Sequence, residues 1–525
     1  MVEGRTSSPL PLDGGEAGRG GGALSGQGAL SQPAPPPTPT LPPSRGKGDA
    51  PSPANIASGE RAFDPYAARA QFPILSRTVN GRPLVYLDSA ASAQKPRAVI
   101  DAMSRAMETS YANVHRGLHT LANETTEAYE AARAAVARLL NAPSVDEIVF
   151  TKGATEAINL VANSFAGRFG PGDEIVISEM EHHANIVPWH MLRDRAGVTL
   201  RFCPVLDDGR LDLEALERIV GPATRLVSVS HMSNVLGTVN PAEAIVRIAH
   251  AHGAKVLLDG CQAVVHRTVD VRALGCDFYV FSGHKLYGPT GIGALWGRAE
   301  LLESMPPFEG GGEMIERVTL EGSTWAKPPT RFEAGTPPIL EAIGLHAAID
   351  WLSQYDRHAV EAHERALYDH VLQRLSAAGA EPLPRASARG STPERGEGAV
   401  GYADGTPPSF SADAAGGPLD RSAAAPPSAT GESQSSLPPW LRVFGQAPDK
   451  GAILAFEIEG AHAHDVAQVL DQYGVAVRAG THCAEPLMLR FGVTATARAS
   501  FALYNTQEDA DAFVDALLKT RAFFA

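Results

Sequence analysis

Between Glu147 and about Gly283, short apolar runs alternate with stretches of helical periodicity, and this alternation restricts the fold more than any other feature. "EIVF" precedes "ATEAINLVANSFA", and "GDEIVISEM" precedes "HHANIVPWHMLRDRAG". "TRLVSVSHMS" precedes "PAEAIVRIAHAHG", "KVLLDG" precedes "CQAVVH", and "CDFYVFSG" follows. Short β-branched runs separated by helices predict an α/β fold with a mainly parallel sheet and crossover helices. Ligands of such sheets bind beyond the carboxyl ends of the strands, so the chemistry is expected just after each apolar run. The C-terminal part has another rhythm: "AILAFEIEG" reads as a strand, "AHDVAQVLDQYG" as a helix closed by Gly474, and "ARASFALYN" as a further strand. A last helix is expected from an N-cap at Thr506, with Phe513, Val514, Leu517 and Leu518 on one face. This part is read as a smaller α+β domain.

Two stretches lack the apolar periodicity that offsets the entropy of ordering a chain. One covers residues 1–60, with "GRGGGALSG" and "QPAPPPTPTLPPS", and the other covers 385–439. They are expected to be a disordered extension and a disordered insertion. A length of 525 residues suggests two or three domains. A net charge of −14 opposes non-specific nucleic-acid binding, which needs clustered positive charge. No apolar run approaches the roughly 18 residues that span a bilayer. The first 50 residues hold no apolar signal core and carry Glu3, Asp13 and Glu16, so a cytoplasmic protein is expected. The cysteines Cys203, Cys261, Cys276 and Cys483 form no C-x-x-C pair, and no metal site is expected.

Lys285 in "FYVFSGHKLYGPTGIG" follows an apolar strand directly and precedes a Gly/Pro loop. It is either a solvent-facing strand-end lysine or one placed for Schiff-base chemistry. Asp259 closes the preceding apolar run, either as a helix N-cap or as a carboxylate for a pyridine nitrogen. Gln262 could then reach the phenolic oxygen of the same ring. "FTKGATEAINL" passes through Gly153 into a helix whose free N–H groups, near Ala154 and Thr155, suit an anion. Ser282 and His284 could add donors there. His182 and His183 follow another run; one imidazole could stack on a ring, whereas adjacent histidines diverge and suit zinc poorly. Cys483 lies in "RAGTHCAEPLM", a polar stretch that should leave it accessible, with Arg478 and His482 near enough to favour a thiolate. Arg498 could clamp a substrate carboxylate.

Together, "YLDSAASAQKP", "YANVHRGLHTLA", "EMEHHANIVPW", "SNVLGT", "DGCQAVVH", "FSGHKLYGPTGIG", "FEGGGEMI", "RFEAGTP" and "RAGTHCAEPLM" resemble the SufS-type (group II) cysteine desulfurases, class V aminotransferases of pyridoxal-phosphate (PLP) fold type I. The resemblance implies a seven-stranded, mainly parallel sheet flanked by helices in a large PLP-binding domain over 85–335. It implies a small domain over 336–525 that carries the insertion, with 61–84 joining it. It implies that Lys285 holds PLP, Asp259 binds the pyridine nitrogen, Gln262 the phenolic oxygen, and His182 stacks on the ring. Ala154, Thr155, Ser282 and His284 would hold the phosphate, and Thr336 would reach that of a neighbouring subunit in a homodimer. Asn234, Arg498 and Arg478 would bind substrate, and Cys483 would be the nucleophile. The implied reaction turns L-cysteine into L-alanine and leaves a persulfide on Cys483, for a SufE- or SufU-like acceptor feeding iron–sulfur cluster assembly. Selenocysteine lyase, acting on L-selenocysteine, and a non-catalytic scaffold are the alternatives. Four features depart from the family pattern: Ala154 in place of a common threonine, Thr481 in place of a common histidine, the insertion and the long N-terminal extension.

Overall fold

The computed structural model describes residues 63–380 and 437–525. The expected extension over 1–60 and most of the insertion expected over 385–439 lie outside them. Leu437, Pro438 and Pro439 lie inside; Pro438 is buried and its carbonyl accepts the Leu441 N–H at 3.0 Å.

The larger sheet has seven strands: β1 (Ile148–Thr151), β2 (Glu174–Ser178), β3 (Thr199–Cys203), β4 (Thr224–Ser230), β5 (Lys255–Asp259), β6 (Phe278–Ser282) and β7 (Gly293–Gly297). Their spatial order is β1-β7-β6-β5-β4-β2-β3. Strands β6, β5, β4, β2 and β3 run parallel to one another, and β7 is antiparallel to both β1 and β6. The inner strands are largely apolar because both faces are covered, whereas the edge strand β3 exposes Thr199, Arg201 and Phe202. Val227, Val256, Leu258, Tyr279 and Phe281 enter one apolar core, whereas the alternate residues Leu226, Leu257, Phe278 and Val280 enter the core on the opposite face. The helices Ala154–Leu160, Val187–Ala196 and Ala242–Ala251 follow strands as the alternation predicts.

A second sheet of four antiparallel strands takes the order β8 (Leu441–Phe444), β9 (Ile453–Ile458), β11 (Thr496–Ser500), β10 (Arg478–Gly480). It packs on the helices Arg357–Ala380, Ala463–Gln472 and Gln507–Phe524 around Phe456, Phe501, Phe513 and Leu517. Val85–Tyr86 pairs in parallel with Val475–Ala476, and Val85 and Leu87 belong to this same core. Gly474 follows the helix Ala463–Gln472 at φ +81°, the left-handed conformation expected of it. Thr506 caps the last helix through a reciprocal pair with Asp509.

One expectation about this part is corrected. The strand read through "ARASFALYN" ends at Ser500. Beyond it the Asn505 side chain accepts the Ala502 N–H at 2.9 Å and the Ala502 carbonyl accepts the Asn505 N–H at 2.9 Å, so the chain turns. Phe501, Leu503 and Tyr504 are apolar because they are buried in that turn, not because they continue a strand.

A buried ion pair holds the edge of the larger sheet. Glu333 accepts from Arg133 at 2.6 and 2.9 Å and from the Phe150 N–H of β1 at 2.7 Å. This fixes β1 just before the turn at Gly153.

Candidate active site

A cavity of about 230 Å³ opens where the parallel strands of the larger sheet end, as the topology requires. Lys285, three residues beyond β6, and Cys483, from the loop between β10 and β11, both line it. The amine and the thiol, 198 positions apart in the chain, thus share one cavity.

Each strand delivers a different chemistry. Asp259 is the last residue of β5 and is 6% exposed; its Oδ1 accepts the Cys261 N–H at 3.0 Å, so it caps the following turn and still faces the cavity. Ser282, the last residue of β6, accepts the Ala154 N–H at 2.9 Å. Ala154 and Thr155 start a helix after Gly153, and both line the cavity with Ser282 and His284. The turn fits closely because β7 has no side chain at Gly293, where a Cβ would lie 2.6 Å from Gly153 Cα.

His182 follows β2. Its Nδ1 accepts the Ala184 N–H at 3.1 Å, which places the remaining ring hydrogen of the neutral imidazole on Nε2. Burial first and the Lys285 charge second push its pKa down to about 4, so at neutral pH the ring is uncharged. The His183 ring is tilted 48° from it, and His183 Nε2 accepts the Glu485 N–H at 3.1 Å. Among the described residues no group of three or more His, Cys, Asp or Glu is gathered to hold a metal.

The thiol loop is tied from several directions. The Cys483 carbonyl accepts the His183 N–H at 2.6 Å, and the His482 carbonyl accepts from Asn234 Nδ2 at 2.9 Å. The Asn234 carbonyl in turn accepts from Arg498 Nη1 at 2.8 Å. His482 and Cys483 have φ of +54° and +55°, two consecutive non-glycine residues in the left-handed region. Cys483 is exposed, whereas Cys203, Cys261 and Cys276 are buried and burial pushes each of their thiols up to about 12. The expected help from His482 is corrected: it is buried, its Nε2 meets the Thr496 carbonyl at 3.0 Å, and burial lowers its pKa to about 3. The positive field at Cys483 therefore comes from Arg478 and Arg498, which both interact electrostatically with it.

One residue expected at the ring does not line the cavity: Gln262 Nε2 donates to the Ala90 carbonyl at 2.7 Å. Thr336, expected to reach a neighbouring subunit, is exposed. Three residues not picked out from the sequence bear on the site. Glu181, fully buried, accepts from Asn185 at 2.7 Å and from Ser178, and burial raises its pKa to about 7. Lys95 donates to the His284 carbonyl at 2.9 Å, which the Ala93 N–H also meets at 3.1 Å, so the peptide before Lys285 is gripped from residues 93–95. Asp88 pairs with both Arg478 and Arg498. The signal for all three is their place inside the motifs "EMEHHANIVPW" and "YLDSAASAQKP".

These buried groups make stability depend on pH. His182, His231 and His284 have pKa values near 4 and His482 near 3, all lowered chiefly by burial. The unfolded chain binds these protons at about 6.5, so below that value it takes up protons the folded chain refuses. Their stabilisation is complete above about pH 6.5 and is lost as pH falls toward 4. Glu181, raised to about 7, and Glu457 and Asp509, also raised by burial, act in the opposite sense, but the four histidines outnumber them. The melting temperature is expected to fall steadily from pH 7.5 to pH 5 by differential scanning fluorimetry; a flat or rising profile contradicts this.

The chain matches the family described as Aminotransferase class-V over residues 85–392 and 435–513. It is 49% identical to a cysteine desulfurase of Dickeya dadantii, over 86% of this chain and 95% of that protein. It is 46% identical to a probable cysteine desulfurase of Streptomyces coelicolor, over 88% of this chain and 98% of that one. Among solved structures, the cysteine desulfurase CsdA of Escherichia coli, in an S-sulfonic acid form, superposes with a TM-score of 0.71 at 38% identity, covering 88% of this chain and 100% of that one. The apo cysteine desulfurase of Thermococcus onnurineus superposes with a TM-score of 0.69 at 32% identity, covering 86% and 98%.

Proposed function

The chain belongs to the class-V aminotransferase family and, within it, to the cysteine desulfurases, and from that premise we propose that it converts L-cysteine to L-alanine with Cys483 accepting the sulfur. The observation that carries this reading is the single cavity shared by Lys285, Asp259, His182 and Cys483.

The donors of that cavity suit pyridoxal phosphate. A buried carboxylate at Asp259 matches a pyridinium nitrogen, the Lys285 amine an aldehyde carbon, and the neutral His182 ring an aromatic face. The start of the helix at Ala154, with Thr155, Ser282 and His284, matches a phosphate. Bound there, the cofactor supplies an electron sink for the carbanion formed when the substrate Cα loses its proton.

The chain's own residues do the rest. Asp259 would hold a proton on the pyridine nitrogen. Arg498, buried and with its Nε unpartnered, takes the substrate carboxylate together with Asn234. That contact orients the Cα proton toward the Lys285 amine, which removes it as general base. The Cys483 sulfur attacks the substrate sulfur as the nucleophile. A sulfur–sulfur bond forms, the Cβ–sulfur bond breaks, and its electron pair stays with the carbon fragment, which leaves as alanine after protonation at Cβ and return of the Cα proton from Lys285. Gln262 fixes the carbonyl of Ala90, which lines the same cavity.

The working unit is a homodimer in which Thr336 reaches the neighbouring subunit's phosphate. Supporting this, Leu118 and Leu320 are fully exposed and Met107, Tyr111 and Val318 more than half exposed, large apolar side chains that a partner subunit could cover. The persulfide passes to a SufE- or SufU-like acceptor for iron–sulfur cluster assembly. The protein works in the cytoplasm; supporting this, the chemistry needs Cys483 as a free exposed thiol, which a reducing compartment preserves.

The test is mass spectrometry of the holoenzyme after exposure to L-cysteine without reductant. One extra sulfur atom is expected on the peptide that contains Cys483. Alanine release with that peptide unmodified would overturn the assignment.

A further inference from the structure

The turn that carries Lys285 is closed on itself. The Gly283 carbonyl accepts the Leu286 N–H at 2.9 Å and the Gly288 N–H at 3.0 Å, and the Gly283 N–H donates to the Ile292 carbonyl at 2.9 Å. The Gly288 bond is the closure that ends a helical turn when the residue before it is left-handed, a place that glycine usually takes. Here Tyr287 takes it, at φ +60°. A side chain at that angle is strained where glycine is not. Such strain persists only where the surrounding structure over-determines it, and it gathers at functional sites.

A box of rings supplies the constraint. Tyr287 is fully buried, with its ring centroid 6.0 Å from that of Phe72, 5.4 Å from Trp351 and 6.1 Å from Tyr504, each meeting it edge to face. The walls also touch one another: Phe72 lies 5.2 Å from Trp351 and 4.7 Å from Tyr504. Each wall comes from a different element. Phe72 belongs to the segment ahead of Val85, Trp351 to the helix Ile339–Leu352, and Tyr504 to the turn after β11, six positions beyond Arg498. Tyr504 is itself fixed, because its hydroxyl shares a 2.7 Å hydrogen bond with that of Ser89. The Tyr287 hydroxyl is buried with no hydrogen-bond partner among the described residues, so the ring makes the attachment.

We propose that Tyr287 is a positioning residue for Lys285: its ring, locked between Phe72, Trp351 and Tyr504, holds the Lys285 turn in a fixed direction relative to the strand that carries Arg498. This rests on the reading of Lys285 as the base and Arg498 as the carboxylate clamp. Those two groups belong to different sheets, one just beyond β6 and the other in β11. A clamp fixes the substrate at its carboxylate, and the amine then has to meet the Cα proton from one direction. The contact of Tyr287 with Tyr504 ties the two groups together directly.

The experiment follows two rates. One is the growth of the near-visible band when apoprotein is mixed with pyridoxal phosphate, which reports capture of the aldehyde by the Lys285 amine. The other is exchange of the L-alanine Cα proton in D2O, followed by proton NMR on the holoenzyme and counted per bound cofactor. Tyr287→Gly removes the ring while suiting the left-handed angle, and it is expected to slow both rates by about 10- to 100-fold, the size of a small misplacement of a reacting group. Tyr287→Phe, which keeps the ring, is expected to recover both to within about threefold of wild type, as volume-conserving changes do. A merely structural tyrosine would lower the melting temperature and leave both rates alone. Rates in Tyr287→Gly no slower than wild type, or Tyr287→Phe as slow as Tyr287→Gly, overturn the proposal. Should Tyr287→Gly fail to fold, Tyr287→Leu, which keeps most of the buried volume, takes its place, and unchanged rates in it overturn the proposal equally. If the wild-type holoenzyme exchanges no proton of L-alanine, it is the reading of Lys285 as the base that fails instead.

Discussion

Replacing Cys483 by serine is expected to leave the cofactor bound and its absorbance intact while sulfide release from L-cysteine, assayed with dithiothreitol, falls on the order of 10³-fold or more. The reason is chemical rather than structural. Cys483 is exposed, so the loss of its sulfur leaves no cavity behind. A serine hydroxyl fits the same space, yet it is not ionised near neutral pH and is a poor nucleophile toward sulfur. No other cysteine can take over. Cys203 and Cys276 are buried away from the cavity, and Cys261, which does line it, is buried with its thiol pushed up to about 12. Sulfide release in the variant above a tenth of the wild-type rate would mean that the thiol at 483 is not the acceptor.

Lys285→Ala is expected to remove both the covalent anchor and the proton carrier. Turnover should fall by at least the roughly 10²–10⁴-fold that a positioned general base supplies. The near-visible absorbance of the covalently held cofactor should vanish from the purified protein. The two readouts separate the roles: Cys483→Ser keeps the band and loses turnover, and Lys285→Ala loses both. Methylamine added back should not restore the band to its wild-type intensity, because the amine at residue 285 is held at the end of β6 by the grip of residues 93–95 on the His284 carbonyl. Wild-type absorbance in Lys285→Ala would transfer the cofactor to another lysine. Lys95 is the nearest to consider, since its amine is buried and burial lowers its pKa to about 8.

Much of this arrangement is legible in the amino-acid sequence. Runs such as "KVLLDG" and "CDFYVFSG" are buried on both faces, which writes their strand character into composition alone. Lys285, Asp259 and His182 stand out because parallel sheets place ligands at strand ends, and each lies at such an end or within a few residues of it. What escapes the sequence depends on partners remote along the chain. Asp88 meets Arg478 390 positions away, and a lone "LDS" carries no sign of that meeting. Gln262 is expected to face the ring, but which way an amide turns at a helix start is decided by the nearest carbonyl, here that of Ala90. His482 reads as a cation beside the thiol, and only its burial against Thr496 shows it neutral. "FALYN" has the composition of a strand, and the Asn505 side chain overrides it.

The loop bearing Cys483 is anchored through the His183 N–H, Asn234 Nδ2 and the paired left-handed residues at 482 and 483. A sulfur atom mounted on so fixed a bracket can travel little further than one rotation about its own side chain permits. Under the proposed reading, the longer journey out of the pocket would fall to whatever takes the sulfur, which would have to come to the mouth of the cavity rather than wait for delivery.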